Sequence, residues 1–487
     1  MRRWNAVLMF SALLALMACA ARGAGQTDAG GAADASVVET ADAGASPGDA
    51  DGGEPADDPC ADSLAGRSAG VREAHALLLS CLDSAATPEV KAQAIDAFVG
   101  FADEHGGFPI IDGDTVIFFY VKSATWDTRV GRHSGALTVA GDFNAWTPVP
   151  MEHLGEGVTE VELKLPGFAA SGGRYKFVSN GTDWFADPLA RHFSYDENGE
   201  MSLLAVKPAE ARFDRYAAVP ATRLGNRRTV YVYVPAGYST SSEPYAVLYM
   251  HDGQNLFDPS LPRSTPEVWD VDRIVSEEMA AGRVKPMLVV GVTSTDARLA
   301  EYTYTTDLVD GATVGGRGAD YEQFLVNELR PMIESRYRVA TGPRQTAVLG
   351  SSLGGLVSYE LALRHPEMFG CVGGMSSTFG WGRAAGHQTV LERYAASTTL
   401  SGGGQRFYLD SGGNPNCPTS GTDNVCETYE MKAILESKGF THYPDDPSAE
   451  RIDPSTDILH WFELGGTHQE STWGARTFRF LRFCFAP

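Results

Sequence analysis

The stretch TAVLGSSLGGLVSYELALRHPE, residues 346–367, decides how the carboxy-terminal half of the chain is interpreted. A short apolar run at 346–349 opens it, and an apolar set at helical spacing follows: Leu356, Tyr359, Leu361 and Leu363. Between them stands the pattern G-x-S-x-G, filled by Gly350, Ser352 and Gly354. A serine on a sharp turn from a buried strand into a helix exposes its hydroxyl at the edge of a sheet. The stretch therefore predicts a strand–turn–helix unit with Ser352 as a candidate nucleophile.

Short apolar runs alternate with helical stretches from residue 213 to the end of the chain. The strand candidates are 229–235, 245–253, 287–292, 346–350, 371–376, 406–410 and 458–465. Helical periods, such as 321–335, lie between most of them. This alternation predicts an α/β domain over 213–487, with a mostly parallel sheet and helices on both faces. The first two runs have no helix between them, so we expect them to pair antiparallel.

The amino-terminus has the pattern of an export signal. Arg2 and Arg3 precede an apolar run at 7–17 that is too short to span a bilayer. The run leads into Leu16-Met17-Ala18-Cys19, which resembles a bacterial lipoprotein box. The resemblance implies that residues 1–19 are a lipoprotein signal peptide and that Cys19 carries the lipid. Ala20, rather than Asp, at the next position favours the outer membrane or cell surface by the same resemblance.

Residues 20–58 are rich in Ala, Asp and Gly and contain no aromatic residue. Such a segment cannot bury enough apolar surface to offset the entropy of ordering it, so we expect a disordered linker. The whole chain has 487 residues and a net charge of −23. A nucleic-acid partner requires a basic face, so no nucleic acid is expected.

The chain has seven cysteines, and Cys19 is set aside for the lipid. The six that remain form an even set in a chain with an export signal, which indicates disulfides. Local spacing favours Cys60–Cys81 and Cys417–Cys426, which leaves Cys371 with Cys484. No Cys/His cluster has metal-site spacing, so no metal is expected.

The segment between the linker and residue 213 has two parts with different predicted secondary structure. Residues 60–105 carry helical periods and predict a small helical segment, whereas 106–210 contain β-rich runs separated by glycine and proline. The β-rich part contains Gly141-Asp142-Phe143-Asn144, Trp146, Tyr175-Lys176-Phe177-Val178, Trp184 and Asp187-Pro188. On these residues it resembles the immunoglobulin-like early-set sandwich of carbohydrate-binding module family 48. Phe143 and Trp146 fit turn and core positions, and for Trp184 a packing role is favoured over a sugar-stacking platform.

A nucleophilic serine needs a base beside it and a group that orients the base. On an α/β-hydrolase sheet these residues follow the order Ser, acid, His. His468 comes directly after the last apolar run, in Gly465-Gly466-Thr467-His468, and is the candidate base. His460 lies within that run and is assigned to packing or the surface.

Two residues are candidates for the acid. Asp410 ends the run 406–410, and Asp423 stands later, just before a helical stretch. The acid usually falls a few residues after this strand, but positions 414–416 are Asn-Pro-Asn. An insertion closed by Cys417–Cys426 would carry the acid out to Asp423. We therefore favour Asp423 over Asp410, although Asp423 would also suit a helix cap.

The developing negative charge of an acyl-transfer reaction needs two backbone N–H donors. One is the N–H of the residue after the nucleophile, Leu353. The second is expected from the turn after an early strand, where His251-Asp252-Gly253-Gln254 occurs. We assign the Gln254 N–H, with Gly253 allowing the close turn.

Several motifs taken together resemble one enzyme family. They are HDGQNLFD at 251–258, Arg298 with Glu301-Tyr302, GSSLGG at 350–355, LDSGG at 409–413 and GGTHQESTW at 465–473. The set is similar to the esterase family that includes esterase D, enterochelin esterases, and the feruloyl and acetyl-xylan esterases of carbohydrate esterase family 1. The chain departs from that pattern in lacking an acid near 414 and in carrying the cysteine-bearing insertion.

These observations predict a secreted, lipid-anchored serine esterase that needs no metal or organic cofactor. The expected partners are a phenolic or sugar-linked ester, either a small molecule or attached to a polysaccharide, and the membrane through a lipid at Cys19. The alternative enzyme is a catecholate siderophore lactone esterase. The alternative of another class is a non-catalytic, glycan-binding surface lipoprotein.

Overall fold

A computed structural model describes residues 60, 70–122, 133, 135–168, 173–257, 268–400, 402–442 and 456–487. The predicted signal peptide, Cys19 and the predicted linker at 20–58 lie outside the described residues. None of the helices in the described ranges is long and apolar enough to cross a bilayer.

The strands are numbered in chain order. They are β1 Ile110–Asp112, β2 Thr115–Val121, β3 Leu137–Gly141, β4 Val149–Pro150, β5 Glu152–Gly155, β6 Val158–Lys164, β7 Arg174–Ser179, β8 Asp183–Phe185, β9 His192–Asp196, β10 Gly199–Leu203, β11 Arg212–Ala221, β12 Asn226–Val234, β13 Ala246–His251, β14 Met287–Val292, β15 Thr306–Val309, β16 Ala312–Gly315, β17 Thr346–Ser351, β18 Cys371–Met375, β19 Arg406–Gly413 and β20 Ile458–Leu464.

The α-helices are numbered in the same way. They are α1 Val71–Asp83, α2 Pro88–Glu104, α3 Val271–Ala280, α4 Arg298–Glu301, α5 Gly318–Gln323, α6 Arg330–Arg336, α7 Leu353–Arg364, α8 Val390–Ala396, α9 Val425–Ser437 and α10 Glu470–Cys484. A π-helical segment, Phe324–Leu329, joins α5 to α6, and the three together cover the helix predicted over 321–335.

One long sheet runs through most of the molecule, in the order β20-β19-β18-β17-β13-β14-β12-β11-β9-β10-β7-β3-β4, with β8 beside β7. Neighbours from β20 to β14 are parallel. All pairs from β14 to β4 are antiparallel. The sheet is therefore mixed, and the predicted mostly parallel arrangement holds only for the strands from β20 to β14.

The first two runs are antiparallel in direction, as expected, but they do not pair with each other. β12 and β13 are not neighbours, because β14 lies between them. The antiparallel partners of β12 are β11 and β14. β11 is a ten-residue strand that the pattern of apolar runs did not reveal. It forms a hairpin with β12. β13 pairs in parallel with β14 and β17.

Helices cover both faces of the parallel part of the sheet, as predicted. On one face, Val348 and Val372 of the sheet pack in a single apolar cluster with Val357 of α7 and Leu435 of α9. On the other face, Leu349 and Leu248 pack with Ile274 of α3 and Phe480 of α10. Apolar side chains point to both faces because each parallel strand is buried on both sides.

A second sheet, in the order β1-β2-β6-β5, lies against the antiparallel end of the first. Alternate residues of β2 divide between two apolar clusters, as the period of a strand requires. Phe118 and Tyr120 pack with Tyr175 and Phe177 of the long sheet. Phe119, from the opposite face, packs among α1 and α2. The sheet that contains β2 is thus the middle layer between the long sheet and a helical pair.

The two regions that the sequence divides at residues 210–213 share this long sheet. Phe193 of β9 pairs with Phe213 of β11, so hydrogen bonding continues from one region into the other. Arg215 of β11 reaches back to the carbonyl of Asp187 at 2.9 Å. The family-48 resemblance of the amino-terminal region remains a prediction. Trp184 lies 6.1 Å from Trp146 between ring centres and is 42% exposed.

All three predicted disulfides are present: Cys60–Cys81, Cys371–Cys484 and Cys417–Cys426. Cys371 begins β18 and Cys484 ends α10, so that bridge attaches the last helix to the parallel sheet. Its partners are 113 residues apart in sequence, whereas Cys417 and Cys426 are 9 apart.

We expect the two bridges to differ in their effect on stability. Cross-linking a chain removes more unfolded-state entropy when the closed loop is longer. Replacing both Cys371 and Cys484 with Ala should lower the free energy of unfolding by roughly 5 kcal/mol, against roughly 2.5 kcal/mol for Cys417 and Cys426. Guanidinium unfolding of both double variants measures this, and an equal or reversed loss would contradict the loop-length account.

Candidate active site

Ser352 occupies the turn between β17 and α7, as its sequence context predicts. Its φ of 56° and ψ of −121° are strained for a residue with a side chain. The turn is tight enough that a Cβ at Gly350 would lie 2.5 Å from the carbonyl carbon of Gly354. Gly350 is therefore required by close packing of the strand end against the first turn of the helix, whereas a Cβ at Gly354 would approach other atoms no closer than 3.4 Å.

The nucleophile candidate is held by backbone contacts to the neighbouring strand. The Ser352 N–H donates to the carbonyl of Met375 at 2.9 Å, and its carbonyl accepts from the Thr378 N–H at 3.2 Å. The Ser352 hydroxyl lies 3.4 Å from the hydroxyl of Thr378. Among the described residues no hydrogen bond joins Ser352 to His468, and such bonds often tighten only when substrate is bound.

His468 lies on the loop between β20 and α10, at the carboxyl edge of the sheet. Its Nδ1 is 2.7 Å from Oδ1 of Asp423. The imidazole is 34% exposed while the carboxylate is almost fully buried. Because Nδ1 is engaged by Asp423, Nε2 is the ring nitrogen left to accept a proton.

The carboxylate of Asp423 is held on its other oxygen as well. Oδ2 accepts from the Gly412 N–H at 2.6 Å and from the Ser376 hydroxyl at 2.7 Å. A Cβ at Gly412 would lie 2.8 Å from the same oxygen, so the close approach needs glycine. Asp423 does not cap α9: the residue at that position is Asn424.

Asp410, the other acid considered, is fully buried, and its carboxylate is bonded to residues other than His468. Its carboxylate accepts from Nε and Nη2 of Arg476 at 2.9 and 2.6 Å. The Tyr408 hydroxyl donates to it at 2.8 Å. These contacts occupy both oxygens in a buried ion pair, so the structure brings together Asp423 and His468, the pair favoured from sequence.

The turn that follows β13 brings Gln254 to the same edge. A 3-10 turn, Gly253–Asn255, begins after Asp252, whose φ is 56°. A Cβ at Gly253 would lie 2.5 Å from the carbonyl carbon of Gly291, so only glycine fits there. The amide side chain of Gln254 is bonded at both ends to Ser294, at 2.8 and 3.0 Å. With its side chain engaged in this way, the backbone N–H is the candidate donor of Gln254.

A family model described as Putative esterase matches residues 221–483, more than half of the chain. The chain belongs to the putative esterase family. Its relatives include a feruloyl esterase and an enterobactin esterase, and the protein is a carboxylic-ester hydrolase.

Three relatives of the esterase illustrate the range of the family. Uncharacterized protein YbbA of Bacillus subtilis is 28% identical over 224 residues, covering 45% of this chain and 82% of YbbA. Endo-1,4-beta-xylanase/feruloyl esterase of Xylanibacter ruminicola is 29% identical over 156 residues, covering 31% of this chain and 20% of that protein. Iron(III) enterobactin esterase of Escherichia coli K12 is 26% identical over 253 residues, covering 52% of each. The chain thus spans about half the length of the enterobactin esterase and a smaller share of the xylanase/feruloyl esterase.

In this esterase Arg298 and Asp252 form an ion pair behind the Gln254 turn. Arg298 donates from Nε to Oδ1 at 2.7 Å and from Nη2 to Oδ2 at 2.9 Å. Burial opposes ionisation of Asp252, but Arg298 outweighs it and lowers the pKa of that carboxyl. The Asp252 N–H donates to the Tyr302 hydroxyl at 3.2 Å, which fixes the turn from its other side. The sequence motif that contains Arg298 and Tyr302 is therefore a support for the turn.

Sequence patterns did not reveal three side chains at the site of the esterase. Ser376 binds Asp423, and Thr378 lies against Ser352. The Asn424 Nδ2 donates to the carbonyl of Ser376 at 2.7 Å and to the Thr378 hydroxyl at 3.4 Å. Ser376 ends the strand candidate at 371–376 and Thr378 comes two residues later, and that position was the available signal. Across the described ranges no group of three His, Cys, Asp or Glu is arranged to hold a metal ion.

His251 ends β13 and lies buried behind the elbow of the esterase. Its Nδ1 is 2.9 Å from the Tyr321 hydroxyl, and Nε2 has no hydrogen-bond partner in the described structure. Burial lowers the pKa of His251 to about 4, so the ring is neutral in the folded enzyme near neutral pH.

This buried histidine should make the enzyme less stable in acid. The unfolded chain takes up a proton near pH 6.5, whereas the folded chain resists it until about pH 4, so stability is lost as pH falls through this window. We expect His251→Asn to remove about 3 kcal/mol of that pH-dependent loss. Unfolding free energies of both proteins at several pH values between 7 and 4 measure it, and parallel curves would contradict the assignment.

Proposed function

We propose that the protein is a serine esterase in which Ser352, His468 and Asp423 act together. The observation that carries the proposal is the 2.7 Å contact between His468 Nδ1 and Asp423 Oδ1 beside the strained elbow of Ser352. A carboxylate on Nδ1 fixes the tautomer in which Nε2 can accept a proton. The serine hydroxyl is a weak nucleophile at neutral pH and needs such a base.

In the proposed reaction the Ser352 oxygen bonds to the ester carbonyl carbon while His468 Nε2 takes the hydroxyl proton. The carbonyl then re-forms, the carbon–oxygen bond to the alcohol breaks, and His468 returns its proton to the leaving alcohol. Water, deprotonated by the same nitrogen, then attacks the acyl carbon. The bond from that carbon to the Ser352 oxygen breaks, His468 returns the proton to Ser352, and the carboxylic acid is released. Asp423 remains ionised and stabilises the imidazolium in both steps.

The oxyanion of the tetrahedral intermediate would be stabilised by the backbone N–H groups of Leu353 and Gln254. Leu353 is the first residue of α7, and the first N–H groups of a helix have no partner within it. The Gln254 N–H lies within the first turn of Gly253–Asn255, where the same reasoning applies. Both donors are fixed before substrate arrives, which is what makes oxyanion stabilisation effective.

The proposed substrate is a phenolic or sugar-linked ester. The motif resemblance and the feruloyl esterase relative support this choice. A catecholate siderophore lactone is the second candidate, favoured by the match to an enterobactin esterase over 253 residues. We also propose that the enzyme is exported and attached to the cell envelope through Cys19, on the strength of the signal pattern at 1–19 and the three disulfides.

Ser352→Ala should abolish labelling by a fluorophosphonate probe and reduce ester hydrolysis to background, because no other group would carry the acyl intermediate. Ser351→Ala, one residue earlier and buried in β17, is the matched control and should keep both. Hydrolysis of methyl ferulate, acetylated xylan, a catecholate trilactone and p-nitrophenyl acetate identifies the substrate class. Failure of the folded wild type to label, with no hydrolysis of any ester, would favour the non-catalytic alternative.

The two aspartates provide a second test with opposite outcomes. Asp423→Asn should lower kcat/KM by about 10³- to 10⁴-fold with little change in fold, because the imidazole loses its orienting carboxylate. Asp410→Asn should instead lower the free energy of unfolding by about 3–5 kcal/mol, since it leaves the buried Arg476 guanidinium without its partner. Steady-state kinetics and denaturant unfolding on both variants measure this. If Asp410→Asn inactivated a stable enzyme and Asp423→Asn did not, the assignment of the acid would be wrong.

A further inference from the structure

Ser376 is fully buried directly after β18 and has a left-handed backbone, with φ of 49°. Its N–H donates to the Asp410 carbonyl at 2.7 Å, and its own carbonyl accepts from Asn424. Glycine would adopt this conformation without strain but would lack a hydroxyl. The strained backbone directs the Ser376 hydroxyl onto Oδ2 of Asp423, 2.7 Å away.

The direction of this hydrogen bond is set by a third residue. The indole Nε1 of Trp473 lies 3.0 Å from the Ser376 hydroxyl oxygen, and an indole N–H can only donate. Ser376 therefore accepts from Trp473 and has its own proton free to donate. An ionised carboxylate can only accept, so the chain runs from Trp473 through Ser376 to Asp423 in one direction.

Trp473 also contacts the base. Its ring stands edge to face against the imidazole of His468, with 4.8 Å between centres and 80° between planes. The indole is 3% exposed and packs against Trp269, 5.7 Å away, so it has little freedom to turn. A single buried side chain thus fixes the acid by a hydrogen bond through Ser376 and the base by direct packing.

From these contacts we propose that Ser376 and Trp473 are positioning residues for the Asp423–His468 pair. Asp423 Oδ2 is held by Ser376 and by the Gly412 N–H, so that Oδ1 remains directed at Nδ1 of His468. The inference rests on the proposed serine mechanism, and neither residue contacts the reacting atoms. Without the chain the carboxylate would be free to rotate about its Cβ–Cγ bond, and the base would lose its fixed direction.

The test uses Ser376→Gly, Ser376→Ala and Trp473→Phe, with Ser377→Ala as the matched control. Ser377 is the next residue and equally buried, but its hydroxyl has no partner among the described atoms. Ser376→Gly removes the hydroxyl while it relieves the backbone strain, so lost activity cannot be ascribed to a strained fold. We expect kcat to fall about 10- to 100-fold in all three variants, since misplacement of about 1 Å costs up to 10²-fold. KM should change little, and Ser377→Ala should keep wild-type kinetics.

Two further readouts separate positioning from a general structural role. The double variant Ser376→Gly with Trp473→Phe should lose no more activity than the worse single variant, because both changes break one chain. The low-field proton resonance of the His468 Nδ1–H, identified by its absence in Asp423→Asn, should shift or broaden in the three variants and persist in Ser377→Ala.

The possible outcomes distinguish this inference from the serine mechanism itself. Loss of activity in Ser352→Ala and Asp423→Asn, together with wild-type kcat in Ser376→Gly and Trp473→Phe, would overturn the positioning role alone. Full additivity in the double variant, or activity that falls only in proportion to unfolded protein, would overturn it too. Retained hydrolysis in Ser352→Ala would overturn the proposed function.

Discussion

The register of the parallel strands determines where every side chain of the site can stand. Ser351 of β17 lies beside Met375 of β18, which lies beside Asp410 of β19. Ser352 and Ser376, which follow the ends of β17 and β18, therefore leave the sheet at one edge, side by side, whereas β19 continues to Gly413. Backbone hydrogen bonds continue across that edge, from the Ser352 N–H to Met375 and from the Ser376 N–H to Asp410. A slip of one residue in either pairing would turn these side chains to the opposite face.

Backbone strain is concentrated at this same edge. Ser352, Ser376, Asp423 and Asn424 all have a positive φ although none is glycine. Each such residue costs about 1–3 kcal/mol and persists only where its surroundings impose it. Here the surroundings are the buried parallel strands on one side and the ion pair of Asp410 with Arg476 on the other. The parallel sheet thus stabilises the strained backbone that brings the serine hydroxyls, the Asp423 carboxylate and the Asn424 amide together.

Sequence patterns predicted the parts of the fold that depend on local periodicity. The strands around Ser352 and the loop position of His468 follow from apolar runs and turn residues next to them in the chain. The cysteine pairs followed from spacing once Cys19 was set aside. The patterns missed features that depend on partners distant in the sequence. β11 pairs with β9 as well as with β12, and the residues around the turn at 225 give no local signal of the pairing with β9. Ser376 and Thr378 likewise look like ordinary residues after a strand until Asp423 and Ser352 are brought beside them.

The separation of two acidic roles explains the unusual position of the acid. Asp410 lies within β19, where its carboxylate is buried and fully engaged by Arg476 and Tyr408. A carboxylate whose two oxygens are already bonded to Arg476 and Tyr408 is not available to orient the imidazole of His468. The insertion between β19 and α9, closed by Cys417–Cys426, returns the chain to the sheet edge three residues before the second cysteine. Asp423 arrives there with one carboxylate oxygen toward Gly412 and Ser376 and the other toward His468. One aspartate therefore ties the last helix to the sheet, and the other is left free to act on the base.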